Sequence, residues 1–334
     1  MRLLLTGILL AAAAWSGYWF WGAATTRGAM EDWFQARRGD GWVAAYDDLA
    51  VRGFPNRFDI SFSNLSLADP DTGLAWDAPF FQVLALSYRP NHVIAVWPDN
   101  QQLATPFRKY GIKNDDMRAS FVFRPGVRLE VERGTLTASN LRINPGSKYE
   151  ESVISDLTLA AEHAPADASA TYRLGLSADG FAPPQDLRDR IAVRDLPETL
   201  NALSADLTVR FDKPWDRRAI EEARPQPRHL FLRLAEARWG HLELQAAGEL
   251  DVGSDGIPEG TITVKARNWP EIMKLARSSR ALPEAMLGPL ERGLSLLSRM
   301  SGNPRTLDIP LRFSGGDVSI GPIPVMAAPV LRIR

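Results

Sequence analysis

The sequence predicts a mainly β protein with a few helices: a long, curved antiparallel sheet, open as a groove or half closed as a barrel or sandwich, behind one N-terminal transmembrane helix. Three observations carry that expectation. An uncharged run of 22 residues stands near the start, apolar and polar residues alternate with period 2 through most of the remainder, and segments of helical period are short and few.

The uncharged run, Leu3 to Ala24, reads LLLTGILLAAAAWSGYWFWGAA. As a helix it spans about 33 Å, which matches a hydrocarbon core of about 30 Å. Its second half carries Trp15, Tyr18, Trp19, Phe20 and Trp21, rings of the kind that settle at a membrane interface. Residues 1–27 are therefore expected to be a retained anchor. The competing reading is a cleaved signal peptide, with Leu3 to Leu10 as its apolar part and Ala11 to Ala14 as small residues for the peptidase. About ten further apolar and aromatic residues follow those alanines, which favours the anchor. Arg2 lies on one side and Arg27, Arg37 and Arg38 on the other, so charge alone leaves the orientation open; the short N-terminal flank points to a cytoplasmic N-terminus with the bulk of the chain outside. Residues 28–43 read as a short connecting helix that stops at Gly39-Asp40-Gly41.

From residue 44 to 334 the period changes. Phe58, Ile60 and Phe62 alternate with Arg57, Asp59 and Ser61, and Val127, Leu129 and Val131 alternate with Arg128, Glu130 and Glu132. In the longest case, Leu242, Leu244, Ala246, Gly248, Leu250 and Val252 share one face while His241, Glu243, Gln245, Glu249 and Asp251 share the other. Such a strand would run about 40 Å. Ile262, Val264 and Ala266 continue the pattern beyond Gly253-Ser254-Asp255-Gly256, so an antiparallel hairpin is expected there. Similar runs fall near 76–88, 92–97, 119–123, 169–177, 230–239, 307–313 and 318–323.

A weak repeat recurs at Ser63-Asn64-Leu65-Ser66-Leu67, Ser139-Asn140-Leu141-Arg142-Ile143, Ser155-Asp156-Leu157-Thr158-Leu159 and Ala205-Asp206-Leu207-Thr208-Val209. In the first two copies the apolar parity flips from even to odd, which predicts β-bulges at Asn64 and Asn140; the plainer alternative is that Asn and Asp mark turns. Helical insertions are expected near 186–223, as Asp186 to Val193 and Trp215 to Ala223, and near 268–300. In the latter, Asn268-Trp269-Pro270-Glu271 offers an N-cap, a first-turn proline and a capping-box Glu, and Met286, Leu287, Leu290, Leu294 and Leu297 mark a second helix over Glu284 to Met300.

Little in the sequence points to chemistry. With 39 Lys plus Arg against 40 Asp plus Glu the net charge is −1, so no basic surface for nucleic acid is expected. There are 0 cysteines, which excludes disulfides, thiolate zinc sites and cysteine nucleophiles. His92, His163, His229 and His241 are scattered outside any HExxH or HxH pattern, and the string nearest to a nucleophile elbow, Gly175-Leu176-Ser177-Ala178-Asp179, lacks the final glycine. Counting twelve places from Asp69 and Asp251 reaches Phe80 and Ile262 where a calcium loop needs Glu. No Walker A or G-x-G-x-x-G string follows a strand. We assign no catalytic residue, cofactor or metal ligand and do not expect an enzyme.

Four stretches together resemble the domain of unknown function 2125 family, membrane-anchored envelope proteins of alphaproteobacteria. They are Val51-Arg52-Gly53-Phe54-Pro55-Asn56-Arg57-Phe58, Trp239-Gly240 leading to Gly248-Glu249-Leu250, Gly256-Ile257-Pro258-Glu259-Gly260, and Gly321-Pro322-Ile323-Pro324 with Pro329-Val330-Leu331. The Gly-Phe-Pro opening is also similar, more distantly, to the AsmA group of inner-membrane-anchored envelope proteins that move or organise phospholipid. That likeness implies an AsmA-like groove with an apolar inner surface able to shelter acyl chains. It also implies a single-pass protein of the bacterial inner membrane with its bulk in the periplasm.

Long strands with one apolar face must hide it under a second sheet, helices or bound lipid. The functional expectation is accordingly a periplasmic β-groove that binds, transfers or organises lipid or another hydrophobic ligand. Its lining candidates are Phe58, Ile60, Phe62, Leu242, Leu244, Leu250, Ile262 and Val264, each equally a core candidate. The alternative is a non-catalytic envelope scaffold with a closed, self-packed β core and protein partners.

Overall fold

The structure, a computed structural model, describes residues 1–146, 150–164, 170–191, 196–279, 284–300 and 305–333. It opens with one helix, α1 (Arg2–Gly39), of 38 residues. The expected division into an anchor and a separate connecting helix near residue 27 is not made. No proline or cap interrupts the helical hydrogen bonds there, and Arg27 pairs with Glu31 across the joint at 2.9 Å. The helix stops where Gly39-Asp40-Gly41 predicts: the Asp40 N–H returns to the Ala36 carbonyl, and Gly41 takes a left-handed φ of 86°.

The strands then pair antiparallel as a meander, in which some strands are broken into two pieces lying end to end. The short β1 (Val43–Ala45) and β2 (Asp48–Arg52) lie end to end beside β3 (Arg57–Asp69), which pairs with β4 (Leu74–Leu86). Next come two broken strands, β5 (Arg89–Val96) with β6 (Asn100–Ala104), and β7 (Lys109–Lys113) with β8 (Asp116–Phe123). The meander continues through β9 (Val131–Asn144), β10 (Ser152–His163), β11 (Thr171–Asp179), β12 (Ala202–Phe211) and β13 (Pro227–Trp239). Around the breaks, β5 pairs with β4 and β8, β6 with β4 and β7, and β7 and β8 with β9. It ends with β14 (Leu242–Val252), β15 (Pro258–Arg267), β16 (Thr306–Ser314), β17 (Asp317–Ile320) and β18 (Ile323–Ala327). The expected hairpin of β14 and β15 is present in full register from Glu243↔Arg267 to Val252↔Pro258.

Among the described residues, helices interrupt the meander at three places. Between β11 and β12 lies α2 (Gln185–Arg190); the last two residues of the helix expected there fall outside the described residues. Of the helix expected over Trp215 to Ala223 only a single turn forms, α3 (Arg218–Glu221). Between β15 and β16 stand α4 (Trp269–Ser279) and α5 (Glu284–Met300). The capping box at Asn268 is not used. Asn268 has φ 57°, its side-chain amide donates to the His241 carbonyl at 2.6 Å, and the Glu271 carboxylate turns to His241. Tertiary partners outcompete the local cap. A second correction concerns Val127, Leu129 and Val131: β9 begins only at Val131, and 124–130 is a turn closed by Arg124 N–H to the Glu130 carbonyl at 2.8 Å, with Leu129 at φ 52°. Pro125 and Gly126 favour the turn over three residues of alternation.

The parity flips at Asn64 and Asn140 occur, but by a different device from the bulge expected. Register is unchanged across both: Ser63↔Phe80 is followed by Leu65↔Ala78, and Asp156↔Ser139 by Ile154↔Leu141. Each asparagine instead adopts a left-handed φ, 47° and 49°, which turns the following side chains to the other face without an inserted residue. Each also donates its side-chain amide at 2.6 Å to an aspartate in the break of the adjoining strand, Asn64 to Asp47 and Asn140 to Asp115. The two sites are structural copies of one motif. Register shifts occur elsewhere, notably where Arg233 is the extra residue between Asp206↔Leu234 and Leu207↔Leu232.

The sheet is strongly curled. β3 and β12 are seven strand steps apart, about 34 Å if the sheet were flat. Yet Arg224, in the loop after β12, reaches Asp69 at the end of β3 at 3.9 Å, and Arg37 of α1 donates to the Glu221 carbonyl at 3.4 Å. Only a sheet rolled towards the face that carries α1 brings those groups together.

The left-handed asparagines lend themselves to a direct test. Asn64→Ala should lower stability by about 1–2 kcal/mol, the cost of a Cβ-bearing residue without Asn's tolerance of that conformation, whereas Asn64→Gly should cost less than about 1 kcal/mol. Thermal unfolding of the full chain in detergent reads the difference.

Candidate functional site

Directly opposed residues on neighbouring strands point to the same face of a sheet. Following the pairs from β3 to β16 gives one transverse row: Ile60, Val83, Ala95, Ala119, Leu136, Leu159, Leu176, Ala205, Ala235, Ala246, Val264 and Ile309. Every member is apolar. The neighbouring row on the other face runs Ser61, Gln82, Val96, Arg118, Thr137, Thr158, Ser177, Ser204, Glu236, Gln245, Lys265 and Asp308, polar but for Val96. The curled sheet thus has an apolar inner face and a polar outer one.

The inner face is covered at its two ends and bare between them. At the β3 end α1 lies on it: Trp19 stacks on Phe58 at 5.9 Å, Phe34 packs on Phe62 at 5.3 Å, and a Cβ at Gly22 would come within 2.7 Å of the Phe58 ring. Trp15, Tyr18 and Trp19 fix the helix by donating to the carbonyls of Pro55, Ser87 and Arg57 at 3.0, 2.7 and 2.7 Å. At the other end α4 and α5 bring Trp269, Met273, Leu287 and Leu294 onto Ala266, Leu307 and Ile309. Exposure along the row follows this cover. Ile60 is 7% exposed and Ile309 8%, while Leu159 is 37% exposed and Leu136, Leu176 and Val264 are half-buried. From β9 to β15 the bare stretch measures six strand steps, about 29 Å.

One rim of this trough is plugged. The loop after β12 folds inward, so that Trp215 packs with Tyr172, Phe211, Val131 and Ile333. The Trp215 N–H donates to the Tyr172 hydroxyl at 3.2 Å, and its carbonyl accepts from Val131 N–H at 2.8 Å. Burial raises the Tyr172 phenol above its ordinary pKa, keeping it neutral. Beside it Asp216 is buried. Burial alone would raise its carboxyl, but hydrogen bonds from the Arg218 guanidinium and backbone N–H hold it below the usual carboxylate range.

Of the eight residues expected to line a groove, Phe58, Ile60 and Phe62 are buried beneath α1. Leu242 and Leu250 are buried near the ends of β14, and Leu244 packs at the margin of the α4–α5 cluster. Ile262 and Val264 lie half-buried in the bare stretch. Leu136, Leu159, Leu174, Leu176, Leu207 and Leu232 face the same trough and were not singled out by the sequence. Their alternation was visible; what covers the rest of the face was not.

Polar chemistry is sparse in the trough. His92 contacts the Ser120 hydroxyl at 2.9 Å, His163 contacts Arg124 at 3.0 Å, His229 pairs with Glu249 and Asp251 at 3.0 and 2.8 Å, and His241 meets Glu271. Among the described residues no group of three His, Asp or Glu side chains is arranged to hold a metal ion.

Two outcomes follow for the trough and its plug. Leu159→Ser on the bare floor should cost less than about 1 kcal/mol, whereas Leu307→Ala beneath α4 and α5 should cost about 2–5 kcal/mol; thermal unfolding distinguishes a bare trough from a closed core. Because the folded pKa of Asp216 lies below its unfolded value, its stabilisation is complete above about pH 4 and is lost as pH falls through the folded value. Hydrogen exchange in 212–226, corrected for intrinsic rates, should be unchanged from pH 7 to 5 and rise in stronger acid.

Comparison with curated proteins and with solved structures finds no match. A family model described as an uncharacterized protein conserved in bacteria (DUF2125) matches residues 19–329, from the docked part of α1 to just beyond β18. That match takes in the trough and the greater part of its plug and covers, and the chain belongs to the DUF2125 family.

Proposed function

We propose that this protein is a single-pass membrane protein of the bacterial inner membrane whose periplasmic β body holds a hydrophobic ligand, a phospholipid acyl chain or a molecule like it, in the bare trough, and so helps to transfer or organise lipid in the envelope. The observation that supports this most directly is the twelve-strand apolar row with its middle uncovered. Each large apolar side chain left in water forgoes roughly 1.5–3 kcal/mol of burial, and a continuous patch of this size marks a binding surface. The dimensions suit an acyl chain. One leaflet of a bilayer is about 15 Å of hydrocarbon, and the bare floor is about 29 Å long.

Among the described residues the buried apolar side chains form several clusters rather than one continuous core, which counts against a self-packed sandwich. α1 is long and apolar enough to cross a membrane, and the distant likeness of Gly53-Phe54-Pro55 to the AsmA group favours the same reading. A scaffold role requires a protein to cover the trough instead; the lack of polar groups along the row favours a hydrocarbon.

Lipid content is the decisive measurement. Full-length protein purified in a detergent free of phospholipid, then extracted and analysed by mass spectrometry, should carry about one acyl lipid per chain. Leu159→Asp combined with Leu176→Asp should reduce that at least tenfold with little change in melting temperature. A lipid-free wild-type protein that takes up no acyl-chain probe would overturn the proposal.

A further inference from the structure

We infer that the turns at 53–56 and 87–88 dip through the head-group layer into the outer edge of the leaflet that α1 enters, so that the trough opens on the bilayer itself. This rests on the anchor reading above and adds where the body stands relative to the lipid.

The argument is one of length. The uncharged run begins at Leu3, directly after Arg2, and the first side chain docked on the sheet is Trp15. All residues up to Ala14 are exposed. Leu3 to Ala14 as a helix covers about 18 Å, well short of a hydrocarbon core of about 30 Å. The remaining 12 Å or so, about eight residues, must come from the segment already fixed to the sheet.

That segment cannot change depth alone. Trp15 is bonded to the Pro55 carbonyl, Tyr18 to that of Ser87 and Trp19 to that of Arg57, while Phe20 stacks on Phe54 at 5.6 Å. Whatever level residues 15–22 take in the bilayer, the two turns take with them. Their surface suits that level. Phe54 is 51% exposed and Tyr88 60%, and Arg52 and Arg89 are exposed beside them. Aromatic rings favour the interface, and guanidinium groups pair with lipid phosphates. Phe107 is 92% exposed in the turn between β6 and β7, at the opposite end of β4 from the turn at 87–88. Immediately above the seated turns starts a second apolar inner row, Phe58, Ala85, Val93 and Phe121. Phe58 lies under α1, so a chain drawn out of the leaflet at this point meets the row at the half-buried Val93 and Phe121.

The absence of cysteine makes site-directed labelling direct. Phe54→Cys, Tyr88→Cys and Phe107→Cys variants of the full chain would each carry an environment-sensitive NBD label in phosphatidylethanolamine–phosphatidylglycerol vesicles. At 54 and 88 emission should be blue-shifted and quenched several-fold more by nitroxide lipids than by aqueous iodide; at 107 the order should reverse. Tyr88→Cys disturbs no ring stack, so it stands if Phe54→Cys unfolds. Water-like signals at 54 and 88 on an intact chain overturn the seating and leave lipid binding in the trough standing. Protection from both quenchers places protein, not lipid, against the turns and overturns it as well. Intact mass of the same samples separates the remaining case: a chain cut near Ala14 refutes the anchor and this inference with it.

Discussion

The structure depends on one constraint: an antiparallel sheet that satisfies its backbone by pairing neighbour to neighbour cannot also cover its own apolar face. The meander from β1 to β18 uses its hydrogen-bonding groups laterally, and each strand adds apolar side chains to the same side. In a sandwich a second sheet would take up that side. Here the cover comes from elements outside the ladder: α1 on β3 and β4, α4 and α5 on β15 and β16, and the inward loop carrying Trp215. What these do not reach is the trough. Curling brings the two flanks nearer to each other without closing the floor.

The same constraint explains the aromatic residues of α1. A row of Trp, Tyr and Phe after an apolar run reads as a membrane belt, but half of it serves another purpose. Trp19 is buried, and three ring donors are spent on sheet carbonyls at the first turns of β3 and β5. Trp21 points the other way and stays exposed, while Phe20 leans on Phe54 at the edge of the contact. One segment therefore has two faces with distinct tasks, one fastening the body and the other directed away from it. Gly22 belongs to the first, since only a residue without Cβ lets the helix settle on Phe58.

Most of the fold was legible because strand alternation is local. Period 2 through Leu242 to Val252, the turn at 253–256 and the helix at Glu284 to Met300 need no long-range information, and all three are found as expected. The misses share a cause. Asn268 lost its cap to His241, and Phe58, Ile60 and Phe62 lie under a helix that starts more than thirty residues earlier, facts set by tertiary neighbours that no local pattern contains. For the same reason the bare floor at Leu159 and Leu176 could not be told from core: both kinds of residue alternate alike. At Asn64 and Asn140 the parity change was readable and its mechanism was not, because an inserted residue and a left-handed one leave the same trace in sequence.

Pairing between segments close in the chain also bears on how the chain is made. Most strands find their partner in the segment synthesised just before them, and β8 reaches back only to β5, so contacts between strands are short in sequence and loop closure costs little. A chain made N-terminus first can therefore zip hairpin by hairpin onto the edge already formed, starting from β3 against α1. Until the last short strand, β18, is laid down with Pro324 blunting its edge, the growing ribbon always has one open side, and it is during synthesis that this protein is most exposed to pairing with the wrong chain.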